Sequence, residues 1–79
     1  MYQNRVRELL SKVGIDVNEI DNDTDLLTSG ALESLGLIAL ICFMEEDFSI
    51  SLDSSAFNIN NFRTINALCL LIGKYKNGH

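Results

Sequence analysis

The sequence predicts an all-α fold: three main helices and one short helix in a single small domain. Three observations carry this. Proline is absent and glycine occurs 5 times in 79 residues, so the punctuation of a turn-rich β architecture is missing. Apolar residues recur at helical spacing in three separate stretches. Hydrophobic residues make up 47% of the chain, enough for a core and too many for disorder. A chain this short builds one modest core, and its function must rest on a simple site.

The elements follow in order. Tyr2, Val6, Leu9, Leu10 and Val13 form an apolar stripe between Arg5, Arg7, Glu8 and Lys12. They predict an amphipathic helix over 2–13, with Gly14 as its stop. Residues 15–33 form a long connection holding Asp16, Asn18, Asp21, Asn22, Asp23, Asp25, Ser29 and Gly30, all turn formers. Leu26, Leu27 and Leu32 lie inside it and are expected to pack onto the core. A second helix is predicted over 34–47, then a connection over 48–52. Cap-forming Asp53 and Ser54, with Ala56, Phe57 and Ile59, predict a short helix of one or two turns within 53–61. Thr64 caps a last helix over 64–76. Its buried stripe is Ile65, Leu68, Cys69, Ile72 and Tyr75, with Lys74 and Lys76 well placed near its C-terminus. Leu9, Leu10, Val13, Leu40, Ile41, Met44, Phe48, Ile65, Leu68 and Ile72 are the expected core. Residues 1–76 read as the domain and 77–79 as a flexible C-terminal tail.

The formal net charge is −5, from 11 acidic and 6 basic residues. This argues against binding nucleic acid, which needs Lys/Arg patches, and against an anionic membrane surface. It suits partners with basic docking patches. Cys42 and Cys69 both lie in apolar segments without metal-type spacing and read as buried free thiols. No apolar region of signal-peptide type follows the N-terminus, and the apolar run 35–44 is too short to span a bilayer. A soluble cytoplasmic monomer is the expectation.

Few residues suit catalysis. Asp21 to Asp25 places acids at alternate positions, like a calcium loop. That loop needs Gly at its sixth position and Glu at its twelfth, where this chain has Leu26 and Leu32. A solvated acidic loop is the better account. The single histidine, His79, is terminal, and no nucleophile elbow, phosphate loop or metal spacing is present. An enzyme is not expected.

The second helix is different. Leu37, Leu40, Ile41, Met44 and Phe48 make a core-facing stripe. Leu35, Ile38 and Cys42 make another, rotated away from the first and extended by Glu45 and Glu46. A small bundle buries one face of a helix. The second stripe is either buried too, in a central helix, or a docking face for another protein. Periodicity leaves both open. Ser34 opens that second face. It is either an ordinary N-cap or an attachment point, where a phosphate ester would be stabilised by free N–H groups and the helix dipole.

The segment "DTDLLTSGALESLGLIALICFMEEDFSI", Asp23 to Ile50, resembles the acyl and peptidyl carrier proteins. Their attachment serine sits in an Asp-Ser-Leu motif, after a Gly-containing loop and before an apolar helix that ends in acids. "NFRTINALCLLI" is similar to the junction before the last helix of the stand-alone and peptidyl-type carriers. With the first helix, the resemblance covers nearly the whole chain.

The resemblance implies a small four-helix bundle of acyl-carrier type. It also implies a stand-alone carrier with 4′-phosphopantetheine on Ser34, transferred from coenzyme A. The arm's thiol would hold an acyl or aminoacyl group as a thioester. Implied partners are a phosphopantetheinyl transferase, an adenylating acyl or aminoacyl ligase or an acyltransferase, and downstream biosynthetic enzymes. Glu33, Leu35, Ile38, Ala39, Cys42, Glu45 and Glu46 would dock them. Two departures from the family pattern stand out. Glu33 replaces the usual Asp, which keeps the charge and lengthens the reach. Ala39 stands where fatty-acid carriers often have an acid. The more apolar face leans toward dedicated carriers loaded by an adenylating ligase. The competing class is an unmodified helical interaction module that docks through the second helix.

Overall fold

A computed structural model describes residues 2–28, 32 and 34–77, with Ser34 and Asn77 described by their backbone alone. All regular structure among these residues is helical. Three α-helices, α1 (Gln3–Lys12), α2 (Ser34–Phe48) and α3 (Ile65–Asn77), are joined by segments holding 3₁₀ turns at Val17–Glu19, Ser54–Ala56 and Ile59–Phe62. The predicted all-α class and the three main helices are as observed.

α1 buries Val6, Leu9 and Leu10, the residues of its apolar stripe. It ends in a left-handed Gly14, φ 93°. The N–H of Ile15 reaches back to the Leu10 carbonyl at 3.1 Å, closing the last turn. A left-handed residue at this point is what glycine supplies without a Cβ clash. α1 packs on both α2 and α3. Arg5 ties it to Asp47 near the end of α2, with Nε donating to Oδ2 at 2.6 Å, and its Nη1 donates to Glu8 at 2.7 Å.

The connection after α1 is pinned from two sides. Arg7 Nη1 donates to the carbonyls of Val17 (2.9 Å) and Ile20 (3.3 Å), and Nη2 donates to Asn22 Oδ1 at 2.8 Å. From the start of α3, the Asn66 amide donates its backbone N–H to Asn22 O at 3.1 Å and its side-chain N–H to Asp23 Oδ1 at 2.7 Å. Ile15, Leu26 and Leu32 are buried, so the apolar residues of this loop do pack onto the core.

α2 runs one residue further than predicted and ends at a left-handed Ser49, φ 55°. The Ile50 N–H bonds the Glu45 carbonyl at 3.1 Å, and Lys76 Nζ donates to the Phe48 carbonyl at 3.2 Å. The short helix predicted within 53–61 is two 3₁₀ turns instead. The cause is local. Asp53 Oδ1 accepts the Ser55 N–H (3.1 Å), and Asn58 Oδ1 accepts the Asn60 N–H (2.9 Å). Each side chain starts its own tight turn, and these compete with one continuous helix.

α3 is capped as predicted: Thr64 Oγ1 accepts the Ala67 N–H at 2.9 Å. Ile65, Leu68, Cys69, Leu71, Ile72 and Tyr75 are buried along it. Tyr75 Oη donates to Asp53 Oδ1 at 2.6 Å, fixing the far end of α3 to the segment after α2. Of the expected core, Val13, Ile41 and Phe48 are half-buried and packed against it, and the other seven residues are buried. Phe62 and Leu52 join the core from the irregular segments.

Candidate functional site

The candidate site residues that the structure describes lie along α2, from its first turn to near its end. Ser34 is its first residue. Leu32, two positions earlier, is buried. Its amide donates to the Leu26 carbonyl at 3.0 Å, and its Cδ1 would lie 3.6 Å from a Cβ placed at Gly36. Leu32 therefore packs under the first turn of α2. One step past Ser34 the chain faces out: Leu35 is 82% exposed and Ile38 is 59% exposed.

The two stripes of α2 separate by burial. Leu40 and Met44 are fully buried, and Leu37 and Ile41 are half-buried against the core. Leu35, Ile38, Cys42 and Glu46 are exposed, with Ala39 half-buried beside them. The central-helix account, with both stripes buried, is not what the fold shows. Two buried thiols were expected, but Cys42 lies on the open face and only Cys69 is buried. Burial pushes the Cys69 thiol above its ordinary value.

Of the expected docking residues, Glu45 is half-buried, and its Oε2 accepts the Leu52 N–H at 2.9 Å. It serves the chain reversal after α2, a task that periodicity did not reveal. Glu33 lies outside the described residues, as do Ser29, Gly30 and His79.

The carboxylates of the acidic loop before the site bond the loop's own backbone and side chains that reach it from the start of α3. Asp21 Oδ1 accepts from the Asp23 N–H (2.9 Å) and from Thr24 Oγ1 (3.1 Å), and these bonds hold its pKa below the ordinary value. Asp25 Oδ1 accepts from Leu27 (2.9 Å) and Thr28 (3.0 Å), while Oδ2 receives Arg63 Nη1 at 3.0 Å. The Thr28 N–H first, then Arg63 and Leu27, lower the Asp25 carboxyl to about 2. These bonds explain why alternate acids occur here without a calcium-loop pattern.

What this arrangement suits is attachment. A hydroxyl at the first residue of a helix, beside an exposed turn, can carry a bulky ester. The first-turn N–H groups and the helix dipole favour a phosphate there. No helix among the described residues is long and apolar enough to cross a membrane. Compared with known families, the chain matches the one described as phosphopantetheine attachment site over residues 4–72. That match takes in α1 from its second residue, the whole of α2 with its exposed stripe, and α3 as far as Ile72. A comparison with curated proteins finds no match.

Proposed function

Because the chain belongs to the phosphopantetheine-attachment family of acyl and peptidyl carriers, we propose that Ser34 is the residue that carries its arm. The cofactor of the family is covalent 4′-phosphopantetheine, and its carrier domains are non-catalytic proteins that meet transferases and biosynthetic enzymes. When attached, the arm supplies a terminal thiol that holds an acyl or aminoacyl group as a thioester. The observation that carries the assignment to Ser34 is its place. It opens α2 within the matched span, between buried Leu32 and exposed Leu35.

Residues 1–76 act as a carrier domain, with 77–79 as its tail. The open face of Leu35, Ile38, Ala39, Cys42 and Glu46 receives partners, together with Glu45 and, next to Ser34 in the sequence, Glu33. These are a phosphopantetheinyl transferase, an adenylating acyl or aminoacyl ligase or acyltransferase, and downstream enzymes. The protein itself holds cargo and catalyses nothing. It works in the cytoplasm as a monomer. The apolar balance of the face, with two of its large side chains more than half exposed, supports loading by a dedicated ligase over a purely electrostatic encounter.

Incubation with coenzyme A, Mg²⁺ and a broad-range transferase tests the assignment. Intact-mass and peptide mass spectrometry should find a single adduct on the peptide containing Ser34. An adduct that persists in Ser34→Ala would move the anchor elsewhere. A chain that takes no adduct, yet binds partners through α2, would be an unmodified interaction module.

A further inference from the structure

The exposed start of α2 is linked to the start of α3 by an unbroken series of contacts. Arg63 stands at the junction between the 3₁₀ turn Ile59–Phe62 and α3. Its Nη1 donates to Asp25 Oδ2 at 3.0 Å, and its carbonyl accepts the Leu26 N–H at 2.7 Å. Arg63 thus grips two consecutive residues of the loop, one by its side chain and one by its backbone. The other oxygen of Asp25 holds the N–H groups of Leu27 and Thr28. Leu26 is fully buried, and its carbonyl accepts the Leu32 N–H at 3.0 Å. Leu32 packs under Gly36 in the first turn of α2. Periodicity gave no sign of this series, because Arg63 and Asp25 lie outside every apolar stripe.

We propose that Arg63 and Asp25 are positioning residues for the modification of Ser34. They hold the Leu26–Leu32 link so that the first turn of α2 is already ordered when a transferase arrives. This rests on Ser34 being the anchor. The physical reason is a population effect. A transferase binds the ordered turn, and its apparent affinity falls in proportion to the fraction of molecules in that state. Once bound, the turn is the same, so the rate at saturation is unchanged. Loosening the link raises KM and leaves kcat alone.

The test uses the full unmodified chain as substrate for a transferase, at a temperature where every variant is folded. Arg63→Gln and Asp25→Ala should raise KM for the carrier by about three- to tenfold with kcat unchanged, as a matching fall in the ordered fraction requires. Arg63→Lys, which can still make one charged contact with Asp25, should restore most of the loss. Backbone hydrogen exchange at Leu26 and Leu32 should accelerate in Arg63→Gln. Tyr75→Phe is the control for stability. It removes a half-buried hydrogen bond to Asp53 at the other end of α3, and should lower the melting temperature without moving KM. If Asp25→Ala fails to fold, Arg63→Gln decides, because it leaves the Leu26–Arg63 backbone bond in place. A wild-type chain modified at Ser34, with KM unmoved in Arg63→Gln, would reduce the pair to a stabilising contact and overturn the inference alone. A wild-type chain that takes no adduct would overturn both the anchor and the inference.

Discussion

α2 and α3 are both rich in large apolar residues, yet they use them differently. α3 buries Ile65, Leu68, Cys69, Leu71, Ile72 and Tyr75, and leaves Leu70 as its one exposed large apolar residue. α2 buries Leu40 and Met44 completely and leaves Leu35 and Ile38 in solvent, just after Ser34 in the chain. A single outward leucine is ordinary on a protein surface. Two apolar side chains one turn apart, beside a candidate attachment serine, are not scattered at random. The contrast teaches that apolar content alone does not locate a core. What α3 spends on packing, α2 divides between packing and a surface.

Truncations break this comparison most directly. Leu40→Ala and Leu68→Ala each remove a fully buried side chain and should cost roughly 2–5 kcal/mol in denaturant unfolding. Ile38→Ala and Leu70→Ala should stay within about 0.5 kcal/mol, as surface changes do. The two exposed positions should then part company in function. Ile38→Ala should weaken transferase and ligase engagement, and Leu70→Ala should leave it intact. If Ile38→Ala were as damaging to the fold as Leu40→Ala, α2 would be a buried central helix and its outer face would have no docking role.

The cysteines offer a chemical version of the same contrast, one on each helix. Cys42 is exposed, and Cys69 is buried with its thiol held neutral to higher pH. In native buffer an alkylating reagent should label Cys42 readily, and Cys69 only after unfolding. Equal labelling of both in the native state would show α3 to be as open as α2.

Acid should act on the loop that joins these helices. The folded Asp25 carboxyl sits at about 2, against an ordinary 3.8. Between those values the unfolded chain binds the proton and the folded chain does not. Stability from the Thr28, Arg63 and Leu27 bonds is therefore whole above about pH 4 and lost as pH falls toward 2. Asp21 and Asp47 are lowered too and add to the same trend. Unfolding midpoints followed from pH 5 to pH 2, on the order of the carboxylate range, should fall less steeply in Asp25→Asn than in the wild type. Parallel curves would mean that the Asp25 bonds form equally well in the unfolded chain.

Much of this fold was legible in the sequence because its signals are local. The 3.6-residue stripe of α1, the Gly14 stop and the Thr64 cap each act within a turn of where they stand, and the structure uses all three. Features that depend on distant partners were not legible. Arg7 lies between apolar residues of α1 and looks like a solvated charge, but it holds the carbonyls of Val17 and Ile20. Ser49 takes a left-handed conformation with no glycine to announce it. Asp53 and Ser54 read as the cap of one short helix, but Asp53 and Asn58 each begin a turn of their own. At the candidate site, periodicity raised two stripes on α2 without choosing between burial and docking. The exposure of Leu35 and Ile38 came from the packing of α1 and α3 on the other side.

Glu45 and Glu46 carry the smallest expected effect and the finest distinction. Both were expected on the docking face as one acidic end, and the structure separates them. Glu46 is exposed. Glu45 accepts the Leu52 N–H, and its change would leave that donor to find water or another acceptor. Glu45→Gln keeps an acceptor oxygen and should be nearly silent. Glu45→Ala should cost about 1 kcal/mol, the usual net worth of such a bond. Glu46→Lys should leave stability within about 0.5 kcal/mol. It reverses a charge where a partner's basic patch would approach, so it should slow transferase association at low salt. Added salt should erase the difference, because exposed charges are screened over a few ångströms at high ionic strength. Transferase kinetics across a salt series, run beside thermal melts, separate the two roles. If Glu46→Lys left the low-salt rate unchanged while Ile38→Ala slowed it, docking on α2 would be apolar, with its acids serving the fold and solubility alone.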